Sequence, residues 1–324
     1  MAGKSNPPFE NCKFLETSKY GIVFTENAGG ALKNADITES VRGIIVEKKA
    51  APLITNTKVH HNEEAGVTFY GEAKGHLENV ESYSNTTGFS INDSTYPVIT
   101  HSKAHSNNTG FLSSENNKAV IADCDSFRNN ASWFAVYEDG SAAFKAQNII
   151  DGCRFYENKW DGISIRGAVS VTITNTESQG NQFAAGLSAT ETAAVSVKNS
   201  RFTGNKFGAK IGGRVSLSAS DSSFDKNSDS GAFMDGNSKV SFERYTFDNN
   251  LDGFYSAANA YITASDCSMS KNSNIGLSIR DTSTGEFKDC LNRGNEKKNM
   301  DNKSKAGKKP QFDNNFSISL KNLF

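Results

Sequence analysis

Nowhere in its 324 residues does the chain carry the run of about 20 apolar residues that a transmembrane helix needs, so no membrane span is expected. Its opening, MAGKSNPPFENCKF, lacks the apolar core of a secretory signal. The compartment expected from that is the cytoplasm; a chain starting after a removed leader would look the same and be secreted. Cysteine is scarce and odd in number: 5, at positions 12, 124, 153, 267 and 290, without a CxxC pair or zinc spacing. Neither a disulfide framework nor a zinc module is expected. Neither sign of charge is in excess, with 35 Lys and Arg against 36 Asp and Glu. A general nucleic-acid binder would show a basic face, so none is expected. Proline is rare too, at 5 residues, whereas 22 Phe and 27 Gly argue against disorder.

What the chain does have is a repeat. A glycine before a short apolar strand recurs at Gly21, Gly43, Gly66, Gly88 and Gly110, with Ser132 in its place once. It resumes at Gly162, Gly186, Gly208, Gly231, Gly253 and Gly276, mostly at spacings of 22 or 23 residues. One, three and eleven residues after it stand apolar residues, such as Ile44, Val46 and Ile54. Alternation by two marks strands with one buried face. Thirteen residues after the glycine stands Asn or Asp, as in Asn34, Asn56, Asn79, Asn175, Asn199 and Asp266, with His101 and Arg244 as exceptions. A sharp corner needs a residue in the left-handed region, which Asn and Asp tolerate best after Gly. A unit of three short strands cannot bury its apolar face alone; stacked neighbours can.

These residues resemble the right-handed parallel β-helix of the pectin-lyase-like superfamily, and in particular its carbohydrate-binding and sugar-hydrolase branch of short, regular coils. The resemblance runs from residue 9 to about 293. The expected fold is all-β, a right-handed parallel β-helix of about 12 coils. Residues 1–8 form a lead, 9–295 the β-helix, and 296–324 a Lys-rich linker with a C-terminal cap strand containing Phe316, Ile318 and Leu320. The coil from Ser132 to Gly162 is about six residues too long, which places an insertion near 138–150 and its corner at Asp151. Open helix ends expose strand edges, so end-to-end self-association is expected as one mode of partnership.

In relatives of this fold, the resemblance implies, substrate lies across the outward face of the first strand and its flanking turn. Here that face reads Tyr70, Asn92, Phe134 with Val136, Lys210, Phe233 and Tyr255, with Tyr137 alongside: hydroxyls, aromatics and charges that suit a sugar's apolar face and polar edge. A solvated strand face would carry similar residues. At the turn beyond stand Asp93, Glu115 and Glu138 in three successive coils. Crowded carboxylates are one route to the raised pKa of a general acid, and Arg166 could clamp an acidic sugar's carboxylate. Solvated turn carboxylates give the same pattern.

No Asn-Thr-Asp, Asp-Asp, Gly-His-Asp or Asp-Pro-His motif of the family's enzymes occurs, which leaves catalysis open: a lyase, glycoside hydrolase or epimerase if there is one. His60, His61 and His105 cluster near one corner but lack Cys or carboxylate at ligand spacing, so no metal and no cofactor is expected, and a calcium ion has no supporting pattern. The expected function is binding, with or without processing, of a polysaccharide on the first-strand face. The alternative is a non-catalytic scaffold that presents this face to a protein.

Overall fold

The computed structural model describes residues 2–114, 116–131, 134–137, 147–181, 183–312 and 317–318, with the side chains of 134–137 and 317–318 outside that set. The described residues form β-strands, bridges and turns, with no helix among them. They divide into two compact units, Met1–Trp160 with Gly167–Thr172, and Asp161–Arg166 with Ile173–Phe324.

In unit 1 the first strands of successive coils pair in parallel: Tyr20–Phe24, Arg42–Val46, Ala65–Phe69, Thr87–Ile91, Thr109–Ser114 and Phe134–Tyr137. Second strands such as Lys74–Glu78 and Tyr96–Thr100 pair likewise, as do third strands such as Glu81–Tyr83 and Lys103–His105. In unit 2, Ala185–Thr190, Phe207–Ile211, Ser230–Met234, Asp252–Ser256, Ile275–Ile279 and Lys298–Asn302 make the first-strand sheet. The Lys-rich stretch after residue 295 thus contributes a strand, whose Met300 lies beside Leu277. Gln311–Phe312 pairs with the second strand Thr284–Lys288, and Ser317–Ile318 with Leu291–Asn292.

The repeat columns become buried stacks. Ile44, Val67, Phe89 and Phe111 are fully buried in unit 1, with Phe89 and Phe111 stacked at 4.7 Å. The corner column is left-handed throughout: Asn11, Asn34, Asn56, Asn79, His101 and Asp123 have φ between 50 and 56°. His101 and Arg244 (φ 54°) take the same conformation, so the coil imposes the turn even where the side chain does not favour it. On the surface, Asn34 donates to Asn11 and Asn79 to Asn56, at 3.1 and 2.7 Å.

A second asparagine ladder runs inside each unit. In unit 1 the side-chain oxygens of Asn85, Asn107 and Asn129 accept the backbone N–H of Asn62, Asn85 and Asn107, at 2.9 to 3.0 Å. Asn205, Asn227, Asn250 and Asn272 repeat it in unit 2, and all are buried. The glycine column is explained by the close approach of the next coil's backbone, with the ladder amide beside it. A Cβ on Gly88 would stand 2.5 Å from the carbonyl of Gly110 and 3.0 Å from the Asn107 amide.

One register expectation is corrected. Phe134 pairs with Phe111, the inward column, and Ala135 with Leu112, the outward one; Val136 likewise takes the inward position, beside Ser113. The repeat spacing had placed Phe134 and Val136 outward, one step off. The same slip affects the corner: Asp151 pairs with Ala122, and Gly152 is the left-handed residue (φ 63°). A glycine adopts that conformation without strain, so Asp151 need not. Residues 138–146, most of the insertion, lie outside the described residues.

Candidate functional site

In unit 1 the first-strand face is largely engaged with itself. Tyr70 is half-buried, with the Arg42 guanidinium 5.7 Å from its ring centre, and Arg42 is held by Glu64 at 2.6 Å. Asn92 donates to the carbonyl of Phe69 and to the Ser90 hydroxyl, both at 3.1 Å, and accepts from Ser114 at 2.9 Å. Asp93 sits at a left-handed corner (φ 55°), and its carboxylate accepts the Gly71 N–H at 2.6 Å. Glu115 and Glu138 lie outside the described residues; Tyr137 takes the register position beside Ser114, its side chain likewise outside them.

Unit 2 presents a different surface. Ser188, Lys210, Phe233, Tyr255 and Ser278 follow one another in register on the outward side of the first-strand sheet. Phe233 and Tyr255 are half-buried and stack at 5.2 Å with rings nearly parallel. Phe207 leans against Phe233 at 5.9 Å, and the ammonium groups of Lys206 and Lys210 lie 5.4 and 5.8 Å from its ring centre. Arg166, exposed on the same sheet, bonds Glu191 at 2.5 Å.

Beside this face stands Asp161, which the repeat frame did not single out. Its carboxylate accepts the Ala185 N–H at 2.8 Å. Burial pushes its pKa up, partly offset by that hydrogen bond and by the Lys210 ammonium. A half-buried carboxyl group within the field of a cation can both bind a hydroxyl and exchange a proton. The available sequence signal was its position just before Gly162, opposite Ala185 of the next coil.

At the far end of the face, Asp301 receives Arg280 at 2.6 Å, with Lys298 and Lys303 at 3.5 and 3.7 Å. Burial would raise the Asp301 carboxyl, but these three cations outweigh it and hold it below the usual range. Among the described residues no group of three or more His, Cys, Asp or Glu side chains is arranged to hold a metal ion.

Short parallel strands, left-handed corners and stacked side chains define a β-helix protein. The chain belongs to the family described as right handed beta helix region, matched over residues 1–149 and 134–316. Among solved structures, it is similar to a point variant of the periplasmic alginate epimerase AlgG: 14% identity, TM-score 0.63, 86% of this chain and 78% of the other. The unsubstituted AlgG gives 13%, 0.62, 86% and 78%. The pectate lyase Pel9A gives 13% identity and a TM-score of 0.49 over 74% of this chain and 69% of the other. Likeness at these identities concerns the fold. No curated protein matches the sequence.

Proposed function

We propose that the chain is a carbohydrate-associated β-helix that binds a polysaccharide along the first-strand face of unit 2. The observation that carries this is the in-register run of Lys210, Phe233 and Tyr255, whose Lys210 end acts on the Asp161 carboxyl. Aromatic edges and open ring faces meet the C–H faces of sugars, and Lys210 with Asp161 meets their hydroxyls and charges. The name of the structural neighbour AlgG, an alginate epimerase, supports a polysaccharide over a protein ligand. Asp161 is then the group to test for proton transfer, should binding be followed by cleavage or epimerisation.

Titration with alginate, pectate and neutral glucan oligosaccharides tests the reading. Wild type should bind at least one, and Lys210→Gln with Tyr255→Ala should weaken it roughly tenfold or more. Absence of binding by the wild type, or full binding by the double variant, overturns it.

A further inference from the structure

Unit 1 carries a second surface of unlike character, on the outward side of its second strands. Tyr96 is 40% exposed. Lys74 of the preceding coil and Lys118 of the following coil reach over its ring, with ammonium groups 5.8 and 5.9 Å from the ring centre. Neither lysine makes an ion pair with any described residue, whereas Lys33, Arg42, Lys48, Lys49 and Lys58 of the same unit are all paired. Next to the tyrosine opens a groove of about 820 Å³ lined by Lys49, Glu72, Lys74, Ser94 and Tyr96. Glu72 is occupied by Lys49 at 3.6 Å. Glu78, the carboxylate on the strand Lys74–Glu78, lies two residues beyond His76, next to Thr100 of the following coil.

Beside Tyr96 the strand face is apolar. Leu53 and His76 pair in register, then Val98, Val120 and Ile149, with Leu53 45% and Ile149 43% exposed. Among the described residues neither cation over the ring has a carboxylate in ion-pair reach, so two positive charges stand above an apolar floor. Lys74 and Lys118 stand two coils apart, on the order of 10 Å at the spacing of parallel strands. That is the span of a disaccharide.

We propose that this face of unit 1 is a binding site for an acidic oligosaccharide carrying its negative charges on alternate residues. The two charges would meet Lys74 and Lys118, and the sugar between them would rest on Tyr96 and the valine floor. The inference shares with the proposed function the idea of a saccharide ligand, but it uses other residues on the other unit, so either can fail alone.

A hyaluronan hexasaccharide, with a carboxylate on every second sugar, is the probe, and tripolyphosphate is the anion control without a sugar body. Calorimetric titration should show the hexasaccharide binding, roughly tenfold weaker in Lys74→Gln with Lys118→Gln and weaker in Tyr96→Ala, with the same losses when these changes are made in a Lys210→Gln, Tyr255→Ala background that removes the unit 2 face. Binding should also weaken with added salt. Equal melting temperatures would show that the exposed-face variants remain folded. Three results overturn the proposal: no binding of the hexasaccharide; binding lost only in the Lys210 and Tyr255 variant, which leaves the unit 2 reading standing; or tripolyphosphate binding as tightly with Tyr96→Ala unaffected, which reduces the site to anion attraction.

Discussion

The second-strand and third-strand faces of unit 1 are built on the same coils and end up in opposite states. On the third-strand face one column reads Lys13, Asp36, Lys58, Glu81, Lys103, Asp125 and Arg154, each beside the next in register and alternating in sign. The parallel column reads His60, Tyr83, His105, Phe127 and Tyr156, stacked ring on ring at 4.6 to 5.1 Å. The columns also bond each other: His60 to Asp36 at 2.9 Å and His105 to Glu81 at 3.2 Å. Burial pushes the Tyr83 and Tyr156 phenols up. Each charge there stands in register beside one of opposite sign, and Lys58 with Glu81 and Arg154 with Asp125 close into ion pairs. On the second-strand face Lys74 and Lys118 flank Tyr96, and neither makes an ion pair with a described residue. Stacking multiplies whatever a column contains, so a self-complementary column strengthens the fold, whereas one that lacks its complement can take it from a ligand.

The largest effect should come from removing what both faces hang on. Asn107→Ala removes the acceptor of the buried Asn85 N–H, at 2.9 Å, and a donor to the Ser82 carbonyl, at 3.0 Å. A loss of about 2 to 4 kcal/mol in chemical denaturation is expected; a loss under about 0.5 kcal/mol would show that the inner ladder is replaceable. Next comes Tyr83→Ala, which removes a ring stacked on both His60 and His105 and should cost about 1 to 3 kcal/mol.

Charge reversal separates the two faces directly. Arg154→Glu breaks the two-point contact with Asp125, at 2.8 and 2.7 Å, and sets like charges side by side; about 1 kcal/mol of destabilisation is expected. Lys74→Glu should change stability by less than about 0.5 kcal/mol. Equal costs in the two variants would erase the distinction between the faces.

The smallest effect is a pH dependence in unit 2. Because burial raises the Asp161 carboxyl, its contribution to stability is complete below the pKa of the unfolded chain, about 4, and is lost as pH rises through the higher folded value. Asp161→Asn should therefore melt slightly higher than wild type at neutral pH, with the gain vanishing toward pH 4. A gain of equal size at both pH values would assign it to something other than ionisation. Asp301→Asn should do the reverse: the three cations depress the Asp301 carboxyl, so its stabilisation is present above about pH 4 and fades as pH falls below it.

Much of the fold could be read from single residues, because a repeat states each structural requirement many times. The buried column through Val67 and Phe89 and the left-handed corners at Asn34, Asn56 and Asn79 stand where the spacing puts them. The inner asparagine ladder escaped because its members stand at varying distances before the glycine: Asn62 four residues before Gly66, Asn85 three before Gly88. Phe134 was misplaced because a single substituted glycine leaves the frame free to slip by one residue, and in a strand one residue reverses the face.

By itself, then, the sequence determined the coil: its length, its corners and which residues turn inward, since these follow from local periodicity and from the few residue types that accept a left-handed turn. Only the tertiary structure decided which outward charges are met. Residues 22 or more apart in the chain become neighbours on stacking, and whether Lys58 finds Glu81, or Lys74 finds Tyr96, is settled there.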